Sequence, residues 1–121
     1  MLLFDGEVIG MKYLLFGTGD YYERYKKWFL SQDVLALMDN STVKQGLTID
    51  GIEVMSPEEA ARLPYDRIVI LSFYYLEMRN QLLSMGVAED RIFHFYDLFR
   101  LMSEQRDKRE IRYWESNEVV C

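Results

Sequence analysis

The sequence is poor in residues that staple or metallate a small protein. It holds one cysteine, Cys121, and one histidine, His94. A lone thiol has no partner in the chain, so an internal disulfide is excluded and a Cys/His zinc site lacks its ligands. Basic residues are in deficit as well: 14 Lys and Arg stand against 20 Asp and Glu, a formal net charge of −6. Such a chain has no electrostatic footprint for nucleic acid or for an anionic membrane. Long apolar runs are missing. Each is broken by Gly, Asp or Lys within about ten residues, short of the roughly 20 that span a bilayer. Asp5 and Glu7 interrupt the first apolar stretch, where a secretory signal needs continuity. These absences set the expectation of a cytoplasmic protein.

What is present is core material. Half of the 121 residues are apolar and 15% are aromatic. That suffices for one domain with a real core and excludes a disordered chain. No internal repeat or low-complexity tract interrupts it.

Residues 1–11, MLLFDGEVIGM, read as an N-terminal extension, with Met11-Lys12 a natural start before the first strand. KYLLF (12–16) is a short continuous apolar run ended by Gly17, which suits a strand buried on both faces. From Asp20 the period changes to that of a helix ending near Ser31. Tyr21, Tyr25 and Trp28 form its apolar row, flanked by Tyr22 and Phe29, with Glu23, Arg24, Lys26 and Lys27 on the other side. The row reads as core or interface ahead of base stacking. DVLALMDN (33–40) is a second strand stopping at a turn-forming Asp-Asn pair. Residues 45–54 read as a loop and a small hairpin turning at Asp50-Gly51. Ser56-Pro57-Glu58-Glu59 announces a helix, with Ser56 as cap, Pro57 in the first position and Glu59 completing a capping box.

RIVILS (67–72) is the most strand-like run. Tyr75, Met78, Leu82 and Met85 form the next helical stripe, ended by Gly86. RIFHF (91–95) is a further strand and YDLFRLM (96–102) a last helix. A domain over 12–103 is followed by a charged tail over 104–121, in which Tyr113 and Trp114 are expected to meet a second copy of the chain or a following domain. Strand and helix alternate throughout, so the expected class is α/β. The expected architecture is a Rossmann-like three-layer fold with a mainly parallel sheet of four to five strands in order 3-2-1-4-5.

In that fold, ligands sit beyond the carboxyl ends of the strands, where strand order reverses. The crevice then lies between Gly17-Thr18-Gly19-Asp20 and Ser72-Phe73-Tyr74, beside Asp39-Asn40. Gly17 and Gly19 match the first two glycines of a dinucleotide fingerprint. Asp39, 20 residues after Gly19, stands where an acid grips a ribose hydroxyl. Against a nicotinamide cofactor stand Tyr22 in place of the third glycine, Asp20 at the helix pole that a pyrophosphate would use, and the lack of a second domain. At ~4 Å and an effective dielectric of ~20, Asp20 repels one phosphate charge by about 4 kcal/mol before screening. The competing reading is that the glycines merely make a tight strand-to-helix turn. His94 reads as a structural histidine, since no nucleophile is paired with it in any motif. No metal-ligand cluster is visible, and no catalytic residue is assigned.

The stretches YLLFGTGDYYERY, VLALMDNSTVKQGLTIDGIEVMSPEEA and YDRIVILSFYYLEMRNQLLSMGVAEDRIFHF resemble the Rossmann-like accessory domains of bacterial polysaccharide (capsule) biosynthesis proteins. Such domains occur beside glycosyltransferases and nucleotide-sugar-modifying enzymes. The likeness covers about residues 12–96. It implies nucleotide or nucleotide-sugar contacts at Gly17, Thr18, Gly19 and Asp39, to which the crevice argument adds Asn40 and Ser72. The reading placed first is therefore a binding module with no chemistry of its own, accompanying a glycosyltransferase. Its ligand would be a nucleotide or nucleotide-sugar rather than NAD. A structural or oligomerisation domain with a vestigial cleft comes second, and a fragment of a nucleotide-sugar dehydratase or oxidoreductase third.

Overall fold

A computed structural model describes residues 11–97 and Arg100. The expected extension before Met11 and the charged tail with Tyr113 and Trp114 lie outside the described residues. The elements are β1 (Lys12–Phe16), α1 (Asp20–Leu30), β2 (Asp33–Met38), β3 (Thr48–Ile49), β4 (Ile52–Met55), α2 (Pro57–Ala60), β5 (Arg67–Ile70), α3 (Tyr75–Ser84), a 3₁₀ turn (Glu89–Arg91) and β6 (Ile92–His94). A helical turn starts again at Phe95.

One six-stranded sheet runs in the order β3-β4-β2-β1-β5-β6. Every pair in it is parallel except β3/β4. The expected count of four to five strands and order 3-2-1-4-5 need one correction. The third strand is a hairpin, so it contributes β3 and β4 and makes six. The turn residues are the reason: Asp50 (φ +53) and Gly51 (φ +79) both take positive φ, as a two-residue hairpin with native strand twist requires.

Period-two alternation sorts the strands between two cores. Leu14, Phe16, Ile68 and Ile70 face one side, with Ala60, Leu82 and Val87. Tyr13, Leu15, Val69 and Leu71 face the other, with Tyr22, Phe29 and Phe95. Helices α2 and α3 therefore cover one face and α1 the other, giving three layers. Both caps read from sequence form. Ser56 accepts from the Glu59 N–H at 3.2 Å with Pro57 opening α2. Gly86 (φ +92) ends α3, and Val87 N–H returns to the Leu82 carbonyl at 3.1 Å, as a glycine-closed helix end does.

The buried face of α1 is not centred on the row read from sequence. Tyr22 and Phe29, seven residues and two turns apart, are its fully buried members, while Tyr21, Tyr25 and Trp28 are half-buried. That row packs on neighbouring rings: Tyr21 and Tyr25 each lie 5.0 Å from Phe95, and Trp28 meets Tyr13 edge-on at 6.1 Å.

Candidate functional site

The chain leaves β1 in one direction across the sheet and β5 in the other, so order reverses between these neighbours. A cleft of about 380 Å³ opens there, at the carboxyl ends of the strands, within the size range of small-molecule sites. Its walls include all six residues singled out from the sequence: Gly17, Thr18, Gly19, Asp39, Asn40 and Ser72. Asp20, Tyr21, Lys44, Phe73 and Tyr74 also line it.

Each of these residues has a local reason for its place. Gly17 N–H donates to the Met38 carbonyl at 2.9 Å, and Leu71 N–H to the Phe16 carbonyl at 2.8 Å. The chain thus threads between two strand ends. Gly17 sits at φ +120, and a Cβ there would lie 2.5 Å from the Leu71 carbonyl oxygen. Glycine at 17 is a packing requirement. Gly19 differs: nothing lies within 4 Å of the place its Cβ would take, so the cleft wall stays open at that point.

Thr18 and Asp39 are bound to each other. One carboxylate oxygen of Asp39 accepts from the Thr18 hydroxyl at 2.6 Å and the Thr18 N–H at 3.2 Å. The other accepts from Ser41 N–H at 2.8 Å. A carboxylate offers about four lone-pair sites, so Asp39 keeps room for about one more donor. It cannot take both hydroxyls of a ribose without releasing Thr18 or Ser41. Asn40 is occupied as well, in a reciprocal amide pair with Gln81 on α3 (3.0 and 2.9 Å). Ser72 Oγ accepts from Tyr74 N–H at 3.0 Å and so shapes the β5–α3 turn.

Lys44 was not singled out from the sequence. It stands in a polar loop without periodicity, so no local signal marked it. Its Nζ reaches across to the Thr18 carbonyl at 3.3 Å. The loop that carries it is tied down by Lys44 N–H to the Ser41 carbonyl (3.1 Å), Gly46 N–H to the Val54 carbonyl (2.8 Å) and Gln45 Nε2 to the Asp39 carbonyl (2.9 Å).

Tyr22, where a third fingerprint glycine would stand, fills the space between α1 and the hairpin. Its ring is fully buried, and its hydroxyl donates to Asp50 at 2.7 Å. Burial, then the hydrogen bond to the Asp50 carboxylate, raise the phenol pKa well above its ordinary value. The same hydrogen bond, seconded by Lys26, holds Asp50 below the usual carboxylate range.

His94 lies among Tyr75, Phe95 and Tyr96, with ring centroids 4.3–5.0 Å away. Burial lowers its pKa, against the opposing pull of Asp97 and a hydrogen bond to the Ser72 backbone. Among the described residues, no group of three or more His, Cys, Asp or Glu side chains gathers at one point. No helix among them is long and apolar enough to cross a membrane.

Comparison with solved structures finds similar folds. UDP-D-quinovosamine 4-dehydrogenase from Vibrio fischeri aligns with a TM-score of 0.52 at 18% identity, over 63% of this chain and 70% of its own. RSP, a Rex-family repressor, aligns with a TM-score of 0.52 at 15% identity, over 91% and 68%. RSP in complex with β-NAD⁺ and operator DNA aligns with a TM-score of 0.51 at 16% identity, over 97% and 69%. At these identities the likeness is one of fold, and the shared fold is Rossmann-like. No curated protein matches the chain. Residues 9–93 match the family described as C2185-like, N-terminal, and since this is more than half of the sequence, the chain belongs to that family.

Proposed function

We propose that this domain binds a nucleotide or nucleotide-sugar in the β1–β5 cleft and performs no chemistry alone. In this reading it is an accessory domain of a bacterial polysaccharide biosynthesis protein, working beside a glycosyltransferase. The observation that carries the binding reading is the cleft itself. It has the volume of a small-molecule site, lies at the reversal of strand order, and has an open wall at Gly19. The neighbours are consistent with it in kind: one acts on a UDP-sugar and another holds β-NAD⁺. NAD suits this chain less well. Asp20 occupies the first turn of α1, the pole that takes the pyrophosphate in the dinucleotide binding mode, and Asp39 has too little free acceptor capacity for the ribose grip of that mode.

The test is calorimetry of the full chain against UDP, UDP-glucose, NAD and coenzyme A. Weak binding of the uridine ligands, at a Kd of about 0.1–1 mM or roughly −4 to −5.5 kcal/mol, is the expected result. NAD binding tighter than about 1 μM would overturn the assignment.

A second reading, a structural domain with a vestigial cleft, is favoured by a specific observation. Asp39 and Asn40, the polar groups at the end of β2, are already engaged within the protein. Silence of the whole panel at millimolar concentration selects this reading.

A further inference from the structure

The binding reading leaves open where a ligand's phosphates would go, and the following inference rests on that reading. In dinucleotide folds the N-terminus of the first helix takes the pyrophosphate. Here that pole is compromised twice. Asp20 stands in the first turn of α1. Thr18 N–H, on the turn before it, is committed to the Asp39 carboxylate at 3.2 Å. A phosphate at this end would face two carboxylates, and the low-dielectric cleft wall would strengthen the repulsion.

One cation stands at this same turn. Lys44 lines the cleft from the loop after β2. Its ammonium makes one hydrogen bond, to the Thr18 carbonyl, and no ion pair among the described residues, although Asp20 and Asp39 line the same cleft. An ammonium has further donors to offer beyond that one bond. The loop's own hydrogen bonds fix its backbone, so little ordering cost remains at binding. On the β5 side stand Phe73 and Tyr74, which are 78% and 63% exposed and meet edge to face at 5.8 Å. Large rings left open at a cleft rim offer a stacking surface for a base.

We propose that the ligand lies across the cleft, with a phosphate on Lys44 and its base against Phe73 and Tyr74, and that the preferred class is a nucleoside diphosphate-sugar. The charge count ranks that class above the free di- and triphosphates. One lysine faces two acids, so each added phosphate charge is less welcome than the last. A sugar ester of a diphosphate carries fewer charges than the free diphosphate, and fewer still than a triphosphate. The affinity order is therefore UDP-glucose above UDP above UTP, the reverse of the order that a dedicated phosphate cradle gives.

Titration of the full chain with UDP-glucose, UDP, UTP and uridine, followed by calorimetry and by amide shifts in ¹⁵N spectra, tests this. In the wild-type chain, shifts at Gly19 and Ser72 report whether the cleft is the site at all. Lys44→Met should weaken UDP-glucose by about tenfold, the size of one charge-assisted hydrogen bond, and leave uridine unchanged. Lys44→Arg should restore most of the loss, and Asp20→Asn should improve UDP several-fold. If UDP-glucose shifts Gly19 and Ser72 but binds Lys44→Met with unchanged affinity, the phosphate sits elsewhere and this inference fails while the binding reading stands. Tighter binding of UTP than of UDP-glucose also overturns it. If no ligand shifts the cleft residues, the binding reading fails and takes the inference with it. Thermal melts of each variant confirm that it folds.

Discussion

The hydroxyl of Tyr22 donates to the carboxylate of Asp50 across 2.7 Å, joining α1 to a hairpin turn 28 residues away. Lys26 approaches the same carboxylate at 3.3 Å. The position that spoils the dinucleotide fingerprint is thus a tie between the first helix and the β3–β4 edge. A glycine there would allow helix and sheet to close up. A tyrosine holds them apart by the width of its ring and uses its polar end at the rim.

Restoring the fingerprint should therefore harm the protein. Tyr22→Gly removes a fully buried aromatic side chain and puts glycine inside a helix, at a cost of about 4–5 kcal/mol. Tyr22→Phe keeps the ring and loses only the hydroxyl, at about 1 kcal/mol. Urea denaturation of the two variants checks both values. Neither change should create NAD affinity, because Asp20 remains.

The same pair predicts the alkaline limb of stability. The folded-state pKa of Tyr22 is raised above its ordinary 10.0. Its contribution is therefore fully present below about pH 10 and is lost as pH rises from there toward the folded value. Asp50 has the opposite sign: its pKa is lowered from 3.8, so its contribution is present above 3.8 and is lost as pH falls through the folded value. Melting temperatures of wild type and Tyr22→Phe should converge as pH climbs above 10. A gap that stays constant to pH 12 would mean that the phenol titrates normally.

The sheet and the cleft were legible because they rest on local chemistry. Apolar runs such as KYLLF and RIVI mark buried parallel strands, Asp50-Gly51 marks a hairpin, and the glycine turn marks the mouth of the cleft. The misses share one cause, contacts between residues far apart in the chain. Nothing near Tyr22 announces Asp50, nothing near Asn40 announces Gln81, and Lys44 has meaning only once its loop folds over Thr18. The expected strand ends at Asn40 and Ser72 ran two residues long, because β2 stops at Met38 and β5 at Ile70. The polar residues beyond them bend away to form the cleft. The seven-residue spacing of Tyr22 and Phe29, two helical turns, was the available signal for the buried face of α1.

The two glycines of the turn should separate cleanly. Gly17→Ala places a Cβ against the Leu71 carbonyl at a positive φ, at a cost of about 3 kcal/mol or more. Gly19→Ala meets open space and costs at most about 1 kcal/mol as a weaker helix cap. Because that methyl would project where a ligand must approach, the variant should melt within several degrees of wild type and lose UDP-glucose binding. Equal destabilisation by both changes would count against the distinction.

Asp39 is the residue at which structure and binding are hardest to separate, and Thr18 supplies the control. Asp39→Ala strands the Thr18 N–H and hydroxyl and the Ser41 N–H at a half-buried site, at a cost of about 1–3 kcal/mol even without ligand. Thr18→Val removes the hydroxyl alone and costs about 1 kcal/mol. In the double variant the costs should not add, because the contact between the two side chains can be lost only once. For binding, the engaged carboxylate predicts that Asp39→Asn weakens UDP-glucose by little, because removing one negative charge from the cleft offsets the weaker hydrogen bond; its amide nitrogen faces the Ser41 N–H or the Thr18 N–H, so the main cost falls on stability. A loss of affinity in Asp39→Asn well beyond its stability cost would show that the carboxylate leaves Thr18 to grip the ligand. Additive stability costs in the double variant would show that the Thr18–Asp39 contact contributes nothing to the fold.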